Sequence, residues 1–514
     1  MNWADLAQTA FISFYTLVLL VVSLYGLHRY AIVFLYYKHR SKAPKPAGEF
    51  AELPVVTIQL PMYNERSVAK RIIETACGMD YPKDKLHIQV LDDSTDDTIQ
   101  IASAAVATAR AQGYDIDYIH RTDRGGFKAG ALTNGMKTSK GEFIAIFDAD
   151  FVPEPSFLKR SIQYFTDPKV CVVQSRWEHL NRKDSMLTRS QAIFLDGHFA
   201  IEHVARNRSD RFMSFNGTAG TWRRSAIDDA GGWHHDTLTE DLDLSYRAQL
   251  KGWKFIFLPE LTAPAELPPE MNAFKAQQFR WTKGGAQVAI KLLPKVMLSK
   301  ASLKVKFEAF FHLTCFMLHL CMLFLVVMMY PAMRMQTLPW ESGSVWRGIF
   351  DLGVFALATM SASIFYVASQ HELFKDWRTG FKYLPVLMAI GVGLCVSNAL
   401  AIMEAFFGKQ SEFVRTPKYG DGATTPQLDM LPVSKKKKNR RRVFLPYIEF
   451  ALGIYMSVCV VMSLTSIKSA ATAPFLLIFA FGFFYVSVMS FHAIYATRTA
   501  PKSAEVAATE KVKA

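Results

Sequence analysis

The chain reads as one α/β domain, built on a doubly wound and mostly parallel sheet, inserted between transmembrane α-helices. Between Val55 and Phe147, short apolar runs of strand length alternate with helical stretches. Long apolar segments flank this region, one before it and five after Leu303, each close to the ~20 residues that cross a bilayer. Half of the chain, 50% of 514 residues, is hydrophobic, which points to membrane segments beside one sizeable soluble domain.

Phe11 to Tyr37 is apolar apart from His28 and Arg29, and is followed by Lys38, His39, Arg40, Lys42 and Lys45. Met1 to Ala10 carries no Lys or Arg, unlike the basic start of a cleaved signal peptide. The positive-inside rule then places the N-terminus outside and the next domain in the cytoplasm. The segments expected are a membrane helix over 1–40, a cytoplasmic domain over 50–300 and two membrane helices over 305–370. An interfacial helix over 374–408, a cytoplasmic loop and basic run over 409–442, two more membrane helices over 443–496 and a cytoplasmic tail over 497–514 complete the chain. Ala43 to Pro54, with three prolines, is a linker.

Val55–Leu60, Leu86–Leu91, Asp117–His120 and Phe143–Phe147 are the expected strands, with helices over Thr98–Gln112 and Phe127–Lys137. In such sheets ligands bind beyond the carboxyl ends of the strands. The polar strand ends are Tyr63-Asn64-Glu65, Asp92-Asp93-Ser94 and Asp148-Ala149-Asp150, so one crevice would collect them. Asp148 and Asp150, one residue apart, suit a divalent cation and through it a diphosphate, although acids also close ordinary turns. Lys128 opens a helix on the same edge without the spacing of a P-loop, and reads as a phosphate contact or as surface. Glu240 and Asp241 follow Thr239, which can cap a helix whose first turn favours acids. Arg280 and Trp281 precede the membrane half and can equally be interfacial anchors.

The formal charge of +14 is concentrated in Lys435–Arg442 and beside apolar segments, where anionic lipid is the expected partner. No basic, aromatic-interleaved groove or zinc-finger spacing occurs, which argues against nucleic acid. Of six cysteines, Cys315, Cys321, Cys395 and Cys459 lie in apolar segments, so neither a disulfide framework nor a zinc site is indicated. Three crossings between the cytoplasmic domain and Lys435–Arg442 would put that basic run outside. Tyr383–Phe407, interrupted by Asn398 and Glu404 and preceded by Lys375, Arg378 and Lys382, is therefore read as an amphipathic interfacial helix.

Taken in order, Asp93 after a strand, Asp148 and Asp150 as Asp-x-Asp, Asp241 in Thr-Glu-Asp, and Gln277, Arg280 and Trp281 as Gln-x-x-Arg-Trp resemble the processive members of glycosyltransferase family 2. These include cellulose, hyaluronan and curdlan synthases and the plant cellulose-synthase-like mannan synthases, and the resemblance covers Val55 to Lys418. It implies a GT-A-type domain that binds a nucleotide sugar. Tyr63, Glu65 and Asp93 would lie on the nucleoside side, with Lys128, Gln277, Arg280 and Trp281 toward the diphosphate and sugar. Asp148 and Asp150 would hold Mg²⁺ or Mn²⁺, Asp148 also touching the donor. Asp241 would be the catalytic base. Trp281, Phe215, Asn216, Gly217, Thr218 and Glu240 would meet the acceptor, with Asn216 standing where cellulose synthases carry cysteine. Phe413, Arg415, Thr416 and Lys418 resemble the cellulose-synthase gating loop, and also fit a proline-stiffened loop.

With one base and no second carboxylate nucleophile, the chemistry implied is a single displacement with inversion. The leading expectation is a β-glucan made from UDP-glucose in a bacterial inner or plasma membrane and passed between the enzyme's own helices. A mannan made from GDP-mannose, or single-sugar transfer to a lipid, are the enzymatic alternatives. A transporter with a nucleotide-sugar-sensing domain is the non-enzymatic one. The cyclic-dinucleotide-binding domain of many cellulose synthases has no room after Arg442, so such regulation is expected only through another subunit.

Overall fold

The computed structural model describes residues 3–335, 360–409, 418, 420, 440–465, 470 and 472–499. The sheet has the strands β1 (Val56–Met62), β2 (Leu86–Asp92), β3 (Asp115–His120), β4 (Phe143–Ile146), β5 (Val170–His179), β6 (Gly220–Arg223) and β7 (Lys254–Ala265). Their order is β3-β2-β1-β4-β6-β5-β7. The first four are parallel, β6 is antiparallel to both β4 and β5, and β7 is parallel to β5. Only β6 therefore runs against the rest, and the sheet is mixed rather than wholly parallel.

The strand period of two divides the core into two layers. In β4, Phe143 and Ala145 face one cluster, formed with Ile72, Ile73 and Ala76 of the helix Ala69–Cys77 and with Val106 of Thr98–Ala111. Ile144 and Ile146 face the other, with Leu132 of Phe127–Met136 and Trp222 of β6. This second cluster also takes in Ile32 and Tyr36 of the helix Trp3–His39 and Phe365 and Tyr366 of the helix over 360–373. The soluble domain thus shares one face with the membrane half.

Among the described residues four helices are long and apolar enough to cross a membrane, Trp3–His39, Leu303–Val327, Phe444–Ser463 and Ala473–Tyr495, or five if the bent pair Trp377–Gly393 and Cys395–Phe406 is one span. Their outer faces carry large apolar side chains such as Leu17, Leu24 and Val461, exposed by 54%, 54% and 66%. Residues 336–359 lie outside the described residues, and with them the first part of the expected helix Ile349–Ala368. Tyr383–Phe407 forms two helices, Leu384–Gly393 and Cys395–Phe406, as part of a pair bent by 41°. Its polar residues do not face an interface: Asn398 and Glu404 are buried, Asn398 bonded to His319 at 3.1 Å and Glu404 to Lys283 at 3.0 Å. Inward pairing, rather than solvation of an outer polar face, accounts for those two interruptions.

The helix Met271–Leu298 joins the two halves. Lys275 is bonded to Glu449 at 2.6 and 2.8 Å, and Lys283 to Glu404 and, at 2.6 Å, to the Lys409 carbonyl. At 3.6 residues per turn Lys275 falls on the side away from Gln277, Arg280 and Trp281, whereas Lys283 flanks Arg280 about one turn further on. Sealed ion pairs are costly to leave half-made. Glu449→Gln, which strands the Lys275 ammonium, is expected to cost about 3–5 kcal/mol, read as a lower Tm in detergent. Lys275→Met in the same background should recover most of it, and an unchanged Tm for the single variant would show that the pair is open to water.

Candidate active site

Because β1, β2, β4, β5 and β7 share a direction, their carboxyl ends meet at one edge and the segments that follow them wall one cleft. Tyr63, Glu65, Asp93, Lys128, Asp148, Asp150, Asn216, Gly217, Glu240, Asp241, Gln277, Arg280, Trp281 and Lys418 all line it. Residues more than 300 positions apart in sequence thus share one cleft.

Asp148 leaves the end of β4 with its N–H donated to Thr218 Oγ1 at 2.8 Å, and its carboxylate accepts from the Lys128 ammonium. Lys128 also donates to the Gly217 carbonyl at 3.0 Å. Burial works against the charge on Lys128, but Asp148, with Glu240 and Asp241, holds its pKa above the ordinary lysine value. Asp150 is buried and accepts from Lys418 Nζ at 2.6 Å. Glu266, just past β7, takes Arg71 at 2.8 Å, and its N–H reaches Asp150 Oδ2 at 3.3 Å. Both oxygens of Asp93 are gripped by Arg121, at 2.8 and 2.5 Å, while the Arg124 guanidinium lies 3.4 Å above the Tyr63 ring. The backbone is left-handed at Asn64, Phe127 and Ala219, three of the four non-glycine residues with positive φ among those described. Asn64 and Phe127 adjoin cleft residues, a common location for stored backbone strain, and Ala219 lies two residues past Gly217 of the same cleft.

The helix Glu240–Leu250 begins with the two acids, but the Thr239 hydroxyl makes no cap bond, so capping does not account for the triplet. Asp241 lines the cleft and is half-buried there. Burial, reinforced by the Glu240 charge, pushes its pKa up to about 7. Burial likewise raises Glu240, with Lys128 opposing. On Met271–Leu298, burial lowers the Arg280 pKa against the pull of Glu240, Asp148 and Asp241.

Two expected acceptor contacts do not reach the cleft. Phe215 is fully buried, edge-on to Trp222 with ring centroids 5.5 Å apart, and Thr218 is fully buried beneath Asp148. An aromatic ring that completes the core and a hydroxyl used by a backbone N–H shape the loop from behind. Asn216 lines the cleft, but both ends of its amide are engaged, with His203 at 2.6 Å and His198 at 3.0 Å. These histidines lie on a π-helical turn, Gly197–His203, that continues the helix Met186–Asp196. Phe413, Arg415 and Thr416 lie outside the described residues.

Sequence reasoning missed Arg71, Arg121, Arg124, His198, His203 and Glu266. Arg121 and Arg124 precede Lys128 in one basic stretch, and Glu266 closes a strand as Asp150 does, so those three carried a signal. The histidines carried none, because a π-turn leaves no distinct sequence period. For a metal, Asp148 and Asp150 offer hard carboxylate oxygens at the cleft, each paired here with an ammonium, Lys128 and Lys418. A second group, His234, Asp236 and Asp243, lies close enough to hold an ion. There the Lys291 ammonium already meets Asp236 at 2.8 Å, Asp243 at 2.7 Å and His234 at 3.3 Å.

A family described as "Glycosyltransferase like family 2" matches residues 54–284. Over 424 residues, 79% of this chain and 90% of the relative, the chain is 33% identical to "Probable glucomannan 4-beta-mannosyltransferase 11" of Arabidopsis thaliana. Over 254 residues, 48% of this chain and 43% of the relative, it is 47% identical to "Probable glucomannan 4-beta-mannosyltransferase 7" of Oryza sativa subsp. japonica. Across four such relatives the chain spans about half their length, 43% to 50%. Among solved structures, mannosyltransferase PcManGT from Pyrobaculum calidifontis, in complex with GDP-Man and Mn²⁺, matches in fold. The TM-score is 0.50 at 20% identity, over 76% of this chain and 100% of that one.

The class is that of a GT-A-type glycosyltransferase domain flanked by helices of membrane length. More narrowly, the chain belongs to glycosyltransferase family 2, in its cellulose-synthase-like group.

Gly217 has φ +80°, and a Cβ there would meet Asp241 Oδ2 at 3.0 Å. Gly217→Ala is therefore expected to displace the Asp241 carboxylate and lower turnover at least about tenfold, the scale of a small misplacement at a reacting group. Turnover per folded protein checks this, with near-UV circular dichroism as the fold control.

Proposed function

We propose that this protein is a membrane-embedded, processive, inverting glycosyltransferase that extends a β-linked polysaccharide, with a β-mannan made from GDP-mannose as the favoured product. The observation that carries the reading is Asp241, a carboxylate with its pKa raised to about 7, set in one cleft with Lys128, Asp148, Arg280 and Trp281. Such a group can take a proton from an acceptor hydroxyl at neutral pH. The hydroxyl oxygen then bonds to the anomeric carbon, and the bond to the diphosphate breaks with its electron pair leaving on the nucleoside diphosphate. A single displacement inverts that carbon. Lys128 and Arg280 face the charge that develops on the leaving group. Asp148 and Asp150 would hold Mg²⁺ or Mn²⁺, which when bound neutralises the diphosphate. Tyr63, Glu65 and Asp93 fall to the nucleoside end, and Gln277 and Trp281 offer amide and ring face to the acceptor.

The sugar rests on other support. The relatives above are named as glucomannan mannosyltransferases and the fold neighbour as a mannosyltransferase with GDP-Man, which favours mannose over the glucose expected from the motif resemblance. Those relatives are plant proteins and lend no support to a bacterial membrane. Membrane-length helices support synthesis at a bilayer, with the lipid and the growing polymer as partners.

With the purified protein in detergent, nucleoside diphosphate release across a panel of GDP-mannose, GDP-glucose and UDP-glucose is expected to be greatest with GDP-mannose. The product should be a size ladder; a one-sugar product would end the processive reading. Asp241→Asn should abolish turnover while leaving donor affinity within a few-fold of wild type. Because the base must be deprotonated, kcat/KM should rise with pH to a plateau above about 7. Glu240→Gln removes the neighbouring negative charge, lowers the Asp241 pKa and should move that limb to lower pH.

A further inference from the structure

The wall of the cleft formed by the end of β5 contains a side chain that neither the fold nor the proposed chemistry uses. His179, the last residue of β5, lines the cleft and is 9% exposed. Among the described residues neither of its ring nitrogens has a hydrogen-bond partner, and Nε2 is sealed from water as well. Burial, with Arg182 and Arg176 nearby and Asp196 opposing, pushes its pKa down to about 4, so the ring is neutral at pH 7. With Nε2 out of reach, Nδ1 is the nitrogen that a ligand in the cleft can meet, and in a neutral imidazole it can be donor or acceptor to a sugar hydroxyl. A buried polar group without a partner weakens a fold, and its retention calls for an explanation.

Its place in the sheet says which part of a ligand it would meet. In the order β3-β2-β1-β4-β6-β5-β7, Tyr63 and Asp93 follow β1 and β2 on one side of the Asp148–Asp150 pair, whereas His179 ends β5 on the other. On that side the cleft is walled by Trp177, Leu195, Leu267 and Trp281, apolar faces against which a pyranose ring can lie. We propose that His179 is a specificity-determining residue of the acceptor subsite, where its imidazole hydrogen-bonds a hydroxyl of the sugar at the end of the growing chain. This rests on the glycosyltransferase reading above.

The test uses the full-length protein in detergent, with GDP-mannose and β-1,4-mannotetraose and, in parallel, UDP-glucose and cellotetraose, comparing wild type, His179→Leu and His179→Gln. In whichever pair the wild type turns over, His179→Leu should raise the acceptor KM about tenfold, the order expected of one lost neutral hydrogen bond. Donor KM and acceptor-independent donor hydrolysis should stay within twofold, and His179→Gln should regain part of the loss. The Leu variant should also match or exceed the wild-type Tm, because an apolar side chain replaces an unpartnered polar one. An unchanged acceptor KM, or equal rises in donor and acceptor KM, would overturn the proposal, as would a lower Tm with all kinetic constants falling together. A wild type inactive with both pairs would instead count against the glycosyltransferase reading and, with it, this assignment.

Discussion

The ammonium of Lys128 sits where the parts of this cleft meet. It bonds Asp148 at the end of β4 and the carbonyl of Gly217 in the loop before β6, and it lies within the field of Glu240 and Asp241 at the start of their helix. Three segments distant in sequence are thereby set around one charge. Without it, acidic groups from a strand end and a helix start would repel across a space of low dielectric. The same arrangement leaves Asp241 far enough from full compensation that burial raises its pKa. One cation thus organises the leaving-group side of the cleft while leaving the adjacent carboxylate able to accept a proton.

The second constraint comes from the membrane side. Arg280 and Trp281 reach the cleft from a helix that is also held by Lys275–Glu449 and Lys283–Glu404. Apolar packing alone is nondirectional and would tolerate rotation of that helix. Paired charges in a dry interface favour one register, because any other leaves an ion unpaired. Lys283 also holds the Lys409 carbonyl, and a few residues later Lys418 reaches Asp150, so the chain returns from the membrane half to the strand ends it left.

The strands most readable from sequence were those whose apolar runs were bounded by polar ends: β1, β2, β3 and β4 appear within two residues of their expected limits. β5 and β7 were not read, since Arg176, Trp177 and Glu178 break the alternation of one and Pro259 and Pro264 interrupt the other. The reversal of β6 left no local signal either. In the site, charged residues closing strands were legible, whereas Phe215 and Thr218 were assigned to the acceptor by motif position and prove to be core. A motif records which residues travel together; it does not say which of them face outward.

By itself the amino-acid sequence determined the alternation of strands and helices, the apolar segments and the ordered acidic and Gln-x-x-Arg-Trp motifs, because periodicity and residue chemistry are local properties. Tertiary structure alone decided that Arg121 engages Asp93, that Lys418 meets Asp150, that Glu404 turns inward to Lys283, and that His179 faces the cleft without a partner. Each of these depends on the distance between groups far apart along the chain, and that distance is set by how the whole sheet and its helices pack.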